Sequence, residues 1–350
     1  MPILTKADVI EHSERLISQA PFFRNKLRVA NTSGSSGTPL RISYTDESRR
    51  INYRFYEAAL AHFGCNYKSK STTFAGRVLY KDPGENPARY DFYSKTQYLS
   101  SYFISPATIK HYVDALNYWQ PEFIDTYPSS IFEVIKLAET QQLKFAFSPK
   151  CVLTSSETLT NECRVAIEKA FNTTVIDQYG CTEMAINAVS VGGDYIASPL
   201  YSLIELEHQF DNSYSVITTG LLNFGMPLLR YRIGDLVEKA SVESNYIMSR
   251  IEGRLDDVII TPEGRKVGRM DPAFKGIEGV SSAQIIQEEV ALITVLVVLD
   301  AKNYARFDSE LLISNIKERT SQSVEVRIKI VEKIEKNKNG KFKSVVSKLS

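Results

Sequence analysis

One stretch, residues 150–183, restricts the architecture more than any other. Cys151-Val-Leu-Thr154 is a short apolar run of strand type, Thr160 to Phe171 has helical spacing, and Thr173-Thr-Val-Ile-Asp177 is β-branched again. Strand, helix, strand in that order predicts a βαβ unit with parallel strands and a right-handed crossover. The chain is therefore expected in the α/β class. Open parallel sheets bind ligands just beyond the carboxyl ends of their strands. Two polar segments, Ser155-Ser156-Glu157 and Gln178-Tyr179-Gly180-Cys181-Thr182-Glu183, occupy those positions, so the site is expected there.

The flanking sequence fits the same class. A helix is expected over residues 45–63, capped by Thr45 or Asp46, with Ile51, Phe55, Ala58 and His62 on one face. Ser105-Pro106 opens another, with Ile109, Val113, Leu116 and Trp119 on one face and Pro121 ending it; a third runs from about Ser130 to Glu139. After residue 250 the texture changes. Two β-rich pieces flank Pro262-Glu263-Gly264 as a hairpin, followed by a strand (Val290–Leu299), a helix (Asp308 to Thr320), a strand (Val324–Val331) and a lysine-rich end. A boundary near Arg254–Asp256 divides residues 1–255 from a small α+β domain, residues 256–350. No internal repeat or low-complexity segment interrupts this order.

Composition removes several functions. Among 350 residues, 42 Lys+Arg against 41 Asp+Glu give a formal charge of +1, without the basic excess of a nucleic-acid binder. Cys65, Cys151, Cys163 and Cys181 form no CxxC pair and lie far from the histidines, which argues against a structural zinc and for a reducing compartment. The start lacks a basic segment followed by an apolar one, and the apolar run Val290–Leu299, broken by Thr294, is half of the ~20 residues that span a bilayer. A cytoplasmic protein with no nucleic-acid or membrane partner is expected.

Four segments could carry chemistry. In Thr32-Ser33-Gly34-Ser35-Ser36-Gly37-Thr38-Pro39, small residues let backbone N–H groups turn onto phosphate oxygens. It is not a Walker loop, and by composition alone it reads equally as a linker, although Leu40–Tyr44 follows it as a strand. In Tyr179–Glu183, an aromatic ring before Gly180 offers a flat face to a base, and Glu183 offers Mg2+ a carboxylate; taken alone it also reads as a turn. Asp235 in Tyr231-Arg-Ile-Gly-Asp235 could accept two ribose hydroxyls and Arg254 could reach the sugar or a phosphate, though each also reads as an ordinary charged turn. In Asn339-Gly340-Lys341, the lysine could neutralise phosphate charge, or belong to a solvated run with Lys333, Lys336, Lys338 and Lys343.

In this order and spacing, the segments resemble the adenylate-forming superfamily of acyl-CoA synthetases, and within it the phenylacetate-CoA ligase-like branch with its capsule-biosynthesis (CapK-type) members. The resemblance runs from Leu4-Thr5-Lys6-Ala7-Asp8 through Gln120-Pro121-Glu122 and Tyr127-Pro128-Ser129-Ser130 to Lys341. It implies a large adenylate-forming N-terminal domain with mostly parallel sheets and helices, and a small mobile C-terminal domain. Thr32, Ser33, Gly34, Ser35, Ser36, Gly37 and Thr38 would hold the outer phosphates of ATP. Ser155, Ser156 and Glu157 would border the adenine, with Tyr179 stacked on it beside Gly180. Thr182 and Glu183 would sit at the α-phosphate and Mg2+, and Asp235, assisted by Arg254, at the ribose. Asp256 would be the hinge, Lys341 the lysine of adenylation, and Gly264 the turn that approaches the thiol.

The implied reaction is ATP-dependent formation of an acyl-adenylate with release of pyrophosphate, then acyl transfer to a thiol, CoA in the first instance. Transfer to a carrier-protein arm or a protein cysteine, or a non-catalytic adenylate-binding relic, are the alternatives. The acyl pocket should draw on Tyr127, the strand ends and the aromatic-rich residues 74–103 (Phe74, Tyr80, Tyr90, Phe92, Tyr93, Tyr98, Tyr102, Phe103). Members of the branch carry a further segment ahead of Leu4–Asp8, so a homodimer or a partner supplying that segment is also expected. Cys181, where relatives have a small residue, reads as a filler of the pocket rather than a nucleophile.

Overall fold

The computed structural model describes the chain except for residues 24–25, 33–39, 76–86, 102, 242, 255–258, 263, 265, 268–269, 275, 301–302, 336–342 and 350. The βαβ unit forms as expected. β7 (Cys151–Ser155) and β8 (Thr174–Gly180) pair in parallel, joined by α6 (Asn161–Phe171). Thr160 caps α6 by accepting from the Cys163 N–H, and Asn172 ends it in a left-handed conformation (φ +48°). β8 continues three residues beyond Asp177, so Tyr179 and Gly180 belong to the strand end rather than to a loop.

β3 (Ser71–Ala75), β5 (Thr96–Ser100) and β6 (Phe123–Thr126) extend this pair into a parallel block, β5-β3-β6-β7-β8, with β4 (Ala88–Asp91) antiparallel on its edge. On one face lie α4 (Ile109–Trp119), α5 (Pro128–Thr140) and α6. The α4 stripe Ile109, Val113, Leu116 and Trp119 is buried as its spacing predicts, although residues 105–108 form a turn rather than the first helical residues. On the other face α3 (Asp46–Ala61) lies over Phe123, Cys151, Leu153 and Ile176. Its inner face is Ser48, Ala59 and Leu60 with Phe55 and Tyr56, while Ile51, Ala58 and His62 are exposed. The buried side is rotated from the expected stripe and includes the polar Ser48, which bonds Thr45 in the helix cap.

Beyond β8 the same sheet turns antiparallel. β9 (Asn187–Ser190), β10 (Tyr195–Ala197), β11 (Ser202–Phe210), β12 (Ser213–Gly220), β13 (Tyr231–Lys239) and β14 (Ile247–Arg254) complete the order β11-β12-β13-β14-β10-β9-β8. These strands share a core with Leu40 and Ile42 of the β1 (Leu27–Asn31)–β2 (Arg41–Thr45) hairpin and with Val9 of α1 (Lys6–Glu11). The large sheet is thus mixed, and the antiparallel strands bring residues from beyond position 195 back to the end of β8.

The C-terminal part has its own core. The β15 (Ile259–Ile260)–β16 (Lys266–Val267) hairpin packs with a four-stranded sheet of order β19-β18-β17-β20, comprising β17 (Val280–Glu289), β18 (Leu292–Leu299), β19 (Glu325–Ile330) and β20 (Val345–Ser347). Leu312 and Ile316 of α7 (Ser309–Arg319) cover it. β17, with few apolar residues facing inward, was not visible in the sequence pattern.

Candidate active site

The carboxyl ends of β7 and β8 border a cleft of about 2480 Å³ whose walls include Met270, Phe274 and Lys343 from the C-terminal part. Ser155 ends β7, and Ser156 turns the chain through a left-handed conformation (φ +71°). Glu157 then accepts hydrogen bonds from the Ser129 N–H at 3.0 Å and the Ser129 hydroxyl at 3.1 Å. Its carboxylate sits at the positive end of α5 and pins the segment there. All three residues line the cleft.

At the end of β8 the Tyr179 phenol donates to Asp235 Oδ2 at 2.7 Å. Two residues far apart in sequence thereby share one wall. Asp235 lies on β13, in register with Arg254 of β14; for Arg254 the structure describes the backbone alone. Past Gly180 the chain doubles back, and Met184, in a left-handed conformation, donates its N–H to the Cys181 carbonyl at 3.2 Å. Thr182 is left exposed at the mouth, whereas Glu183 is buried and its Oε1 accepts from the Tyr231 phenol at 3.2 Å. Burial, reinforced by the charge of Glu183, pushes the Cys181 thiol well up. A protonated thiol in that position fills space and is a poor nucleophile.

Thr32 donates its N–H to the Leu40 carbonyl and accepts the Leu40 N–H on its hydroxyl, both at 2.9 Å, and so clasps the base of the loop between them. Ser33, Gly34, Ser35, Ser36, Gly37 and Thr38 lie outside the described residues, as do Asp256 and Lys341. Gly264 has φ +82° and donates its N–H to Thr261 O at 2.8 Å, the geometry of a tight turn.

Sequence reading missed several groups on this wall. Asp177 is buried between Thr154, whose hydroxyl donates to Oδ1 at 2.5 Å, and the Tyr195 phenol, which donates to Oδ2. Burial raises its carboxyl above the usual range, against the pull of those two bonds and of Arg164. Thr154 and Asp177 were legible as strand residues, but Tyr195 arrives from an antiparallel strand that no local pattern announced. Tyr231 was noted only as the start of the Asp235 motif. The aromatic acyl wall also needs correcting. Phe103 lines the cleft, but Phe74 belongs to the core beneath α4, and Phe92 and Tyr93 are exposed. Tyr80 and Tyr102 lie outside the described residues.

Among the described residues no three His, Cys, Asp or Glu side chains gather as a metal cage. One carboxylate suits Mg2+, which completes its shell with phosphate oxygens and water. Glu183, aimed into a cleft that can admit a nucleotide, fits that requirement. No helix among the described residues is long and apolar enough to cross a membrane.

The CapK C-terminal domain family matches residues 259–348. Protein CapK of Staphylococcus aureus is 28% identical over 364 aligned residues, covering all of this chain and 80% of the relative. Among solved structures, 2-hydroxyisobutyryl-CoA ligase in the postadenylation state with R3-HIB-AMP superposes with a TM-score of 0.70 at 15% identity, over 100% of this chain and 80% of the ligase. Anthranilate CoA ligase AuaEII with anthranoyl-AMP gives 0.64 at 15% identity, over 89% and 65%. ATP-bound MatB from Rhodopseudomonas palustris gives 0.61 at 14% identity, over 91% and 65%. The chain has the fold of these adenylate-forming ligases, and its residues 259–348 match the CapK C-terminal domain family.

Proposed function

We propose that this protein is an ATP-dependent acid–thiol ligase. The observation that carries the reading is the Tyr179–Asp235 hydrogen bond on the wall that also holds Glu183. An aromatic face, a carboxylate suited to a ribose and a carboxylate suited to a metal thus line a single cleft. Structural neighbours of the same fold were solved in complex with acyl-AMP or ATP, which supports the assignment.

The reaction has two halves. A carboxylate oxygen attacks the α-phosphorus of ATP, and the bond to the β-phosphate oxygen breaks to release pyrophosphate. A thiol then loses its proton and attacks the acyl carbon, and AMP leaves with the bonding pair. CoA is the thiol proposed. A carboxylate meeting a polyanion reacts slowly unless charge is neutralised and the partners are held in line. Glu183 would hold Mg2+, whose contribution is to neutralise phosphate charge. Tyr179 and Asp235 would fix the nucleoside, Thr182 would meet the α-phosphate, and the loop from Thr32 to Thr38 would hold the outer phosphates. Lys341 would bridge carboxylate and α-phosphate, and rotation of residues 256–350 about Asp256 would withdraw it and admit the thiol beside Gly264. Closure protects the mixed anhydride from water.

The test is carboxylate-dependent ATP–pyrophosphate exchange with Mg2+, followed by thioester formation with CoA against a carrier-protein phosphopantetheine arm. Exchange with one class of acid and transfer to CoA is the expected result. Absence of exchange with every acid, from folded protein, would remove the adenylation reading; transfer to the carrier arm alone would remove only CoA.

A further inference from the structure

We infer that Asn52 and Tyr201 form an acyl-selecting pair that favours short aliphatic acids bearing an oxygen on the chain, and disfavours aryl and plain alkyl acids. This rests on the adenylation reading above and specifies its substrate.

Asn52 lies on the inner side of α3 and Tyr201 just before β11, and both line the cleft. The buried Tyr201 phenol donates to Asn52 Oδ1 at 2.6 Å. In this arrangement Oδ1 is the acceptor. The Asn52 NH2 group is left as a pair of donors with no hydrogen bond among the described residues, on a half-buried side chain at the cleft wall. Such donors lose water when a ligand fills the cleft and need an acceptor in exchange.

The neighbours of Tyr201 locate the pair. Tyr201 packs with Tyr44 from the strand after the phosphate loop, with Met184 next to Glu183, and with Leu222. Its ring also meets Phe55 edge-on at 5.0 Å between centroids. The Tyr201 end of the pair therefore packs among Tyr44, Phe55 and Met184, next to the Thr182–Glu183 turn that the adenylation reading assigns to the α-phosphate. An acid seated there extends its chain past Asn52. Among the described aromatics of residues 74–103, Phe103 lines the cleft while Phe74 lies in the core and Phe92 and Tyr93 face outward, so that stretch supplies little of a ring-selecting wall. A hydroxyl or carbonyl oxygen on the chain accepts from the amide; a methylene or ring edge leaves both donors bare.

A site built to bond a substrate oxygen rejects the analogue lacking it far more strongly than a hydrophobic slot rejects a methylene, so the wild-type preference should reach ~10²-fold or more. The experiment compares kcat/KM in pyrophosphate exchange for short hydroxy, oxo and unsubstituted acids and for benzoate, in wild type, Asn52→Leu and Tyr201→Phe. The ratio of oxygenated to plain acid should fall toward parity in Asn52→Leu, and less steeply in Tyr201→Phe, which frees the amide to rotate. The hydroxy and oxo arms identify which oxygen is read. Binding of hydroxyacyl and acyl sulfamoyl-adenosines by calorimetry provides a second readout that needs no turnover and can be made on any variant that keeps its fold. A preference for benzoate or plain acids, or a ratio unmoved in Asn52→Leu, overturns the acyl assignment and leaves adenylation standing. No binding of either sulfamoyl-adenosine overturns both.

Discussion

The phenol of Tyr179 donates to Asp235 across 2.7 Å, linking the last strand of a parallel βαβ unit to an antiparallel strand 56 residues later. The ring assigned to the base and the carboxylate assigned to the sugar are therefore one mechanical unit. Removing the hydroxyl should loosen both.

Tyr179→Phe keeps the ring and loses this bond. Hydrogen bonds to charged groups contribute roughly 1.5–3 kcal/mol, so KM for ATP should rise about 10–100-fold while KM for the acid changes little. Asp235→Ala should raise it further. The ATP dependence of pyrophosphate exchange reads both, and an equal rise in the two KM values would argue against nucleoside binding here.

Glu183→Gln preserves shape and removes the charge proposed to hold Mg2+. Exchange should fall ~10²–10³-fold. Tyr231→Phe removes the 3.2 Å bond that orients the carboxylate. Tyr231 acts through Glu183, so its expected signature is a half-saturating Mg2+ concentration raised about 3–10-fold, with a smaller change at saturating metal. A merely structural role would lower activity equally at every Mg2+ concentration.

Lys341→Ala should lower acyl-adenylate formation ~10²–10³-fold and spare ATP binding. Thioester formation from synthetic acyl-adenylate should survive. Equal losses in the two half-reactions would show that the lysine does not belong to adenylation.

Asp125, near the end of β6, is pushed from the ordinary 3.8 up to about 6 by burial, which the hydrogen bond from Tyr56 only partly offsets. Between those two values the folded chain retains a proton that the unfolded chain has released. Stability should therefore fall as pH rises through that window and level off above it. Asp125→Asn removes the cost of ionising a buried carboxyl. It should stabilise by roughly 1–3 kcal/mol at about pH 8 and by little below about pH 4. Denaturant unfolding across that range checks the sign.

Features that depend on near neighbours can be read from the residues in order. The apolar and β-branched runs and the helical spacing of residues 150–183 specify β7, α6 and β8, and the stripe Ile109, Val113, Leu116, Trp119 specifies the buried side of α4. They do so because burial follows the geometry of a strand or helix directly. Tyr179, Glu183 and Asp235 were legible as chemistry-bearing residues in short polar segments. Their partners come from long-range packing. Tyr231 reaches Glu183, Tyr195 reaches Asp177 and Tyr201 reaches Asn52 through antiparallel strands or chain returns that no local pattern encodes. The aromatics of residues 74–103 make the same point from the other side. Their types were plain, but whether a ring lines a cleft, fills a core or faces water depends on which strand pairs beside it, and pairing across long separations is settled by the packed whole.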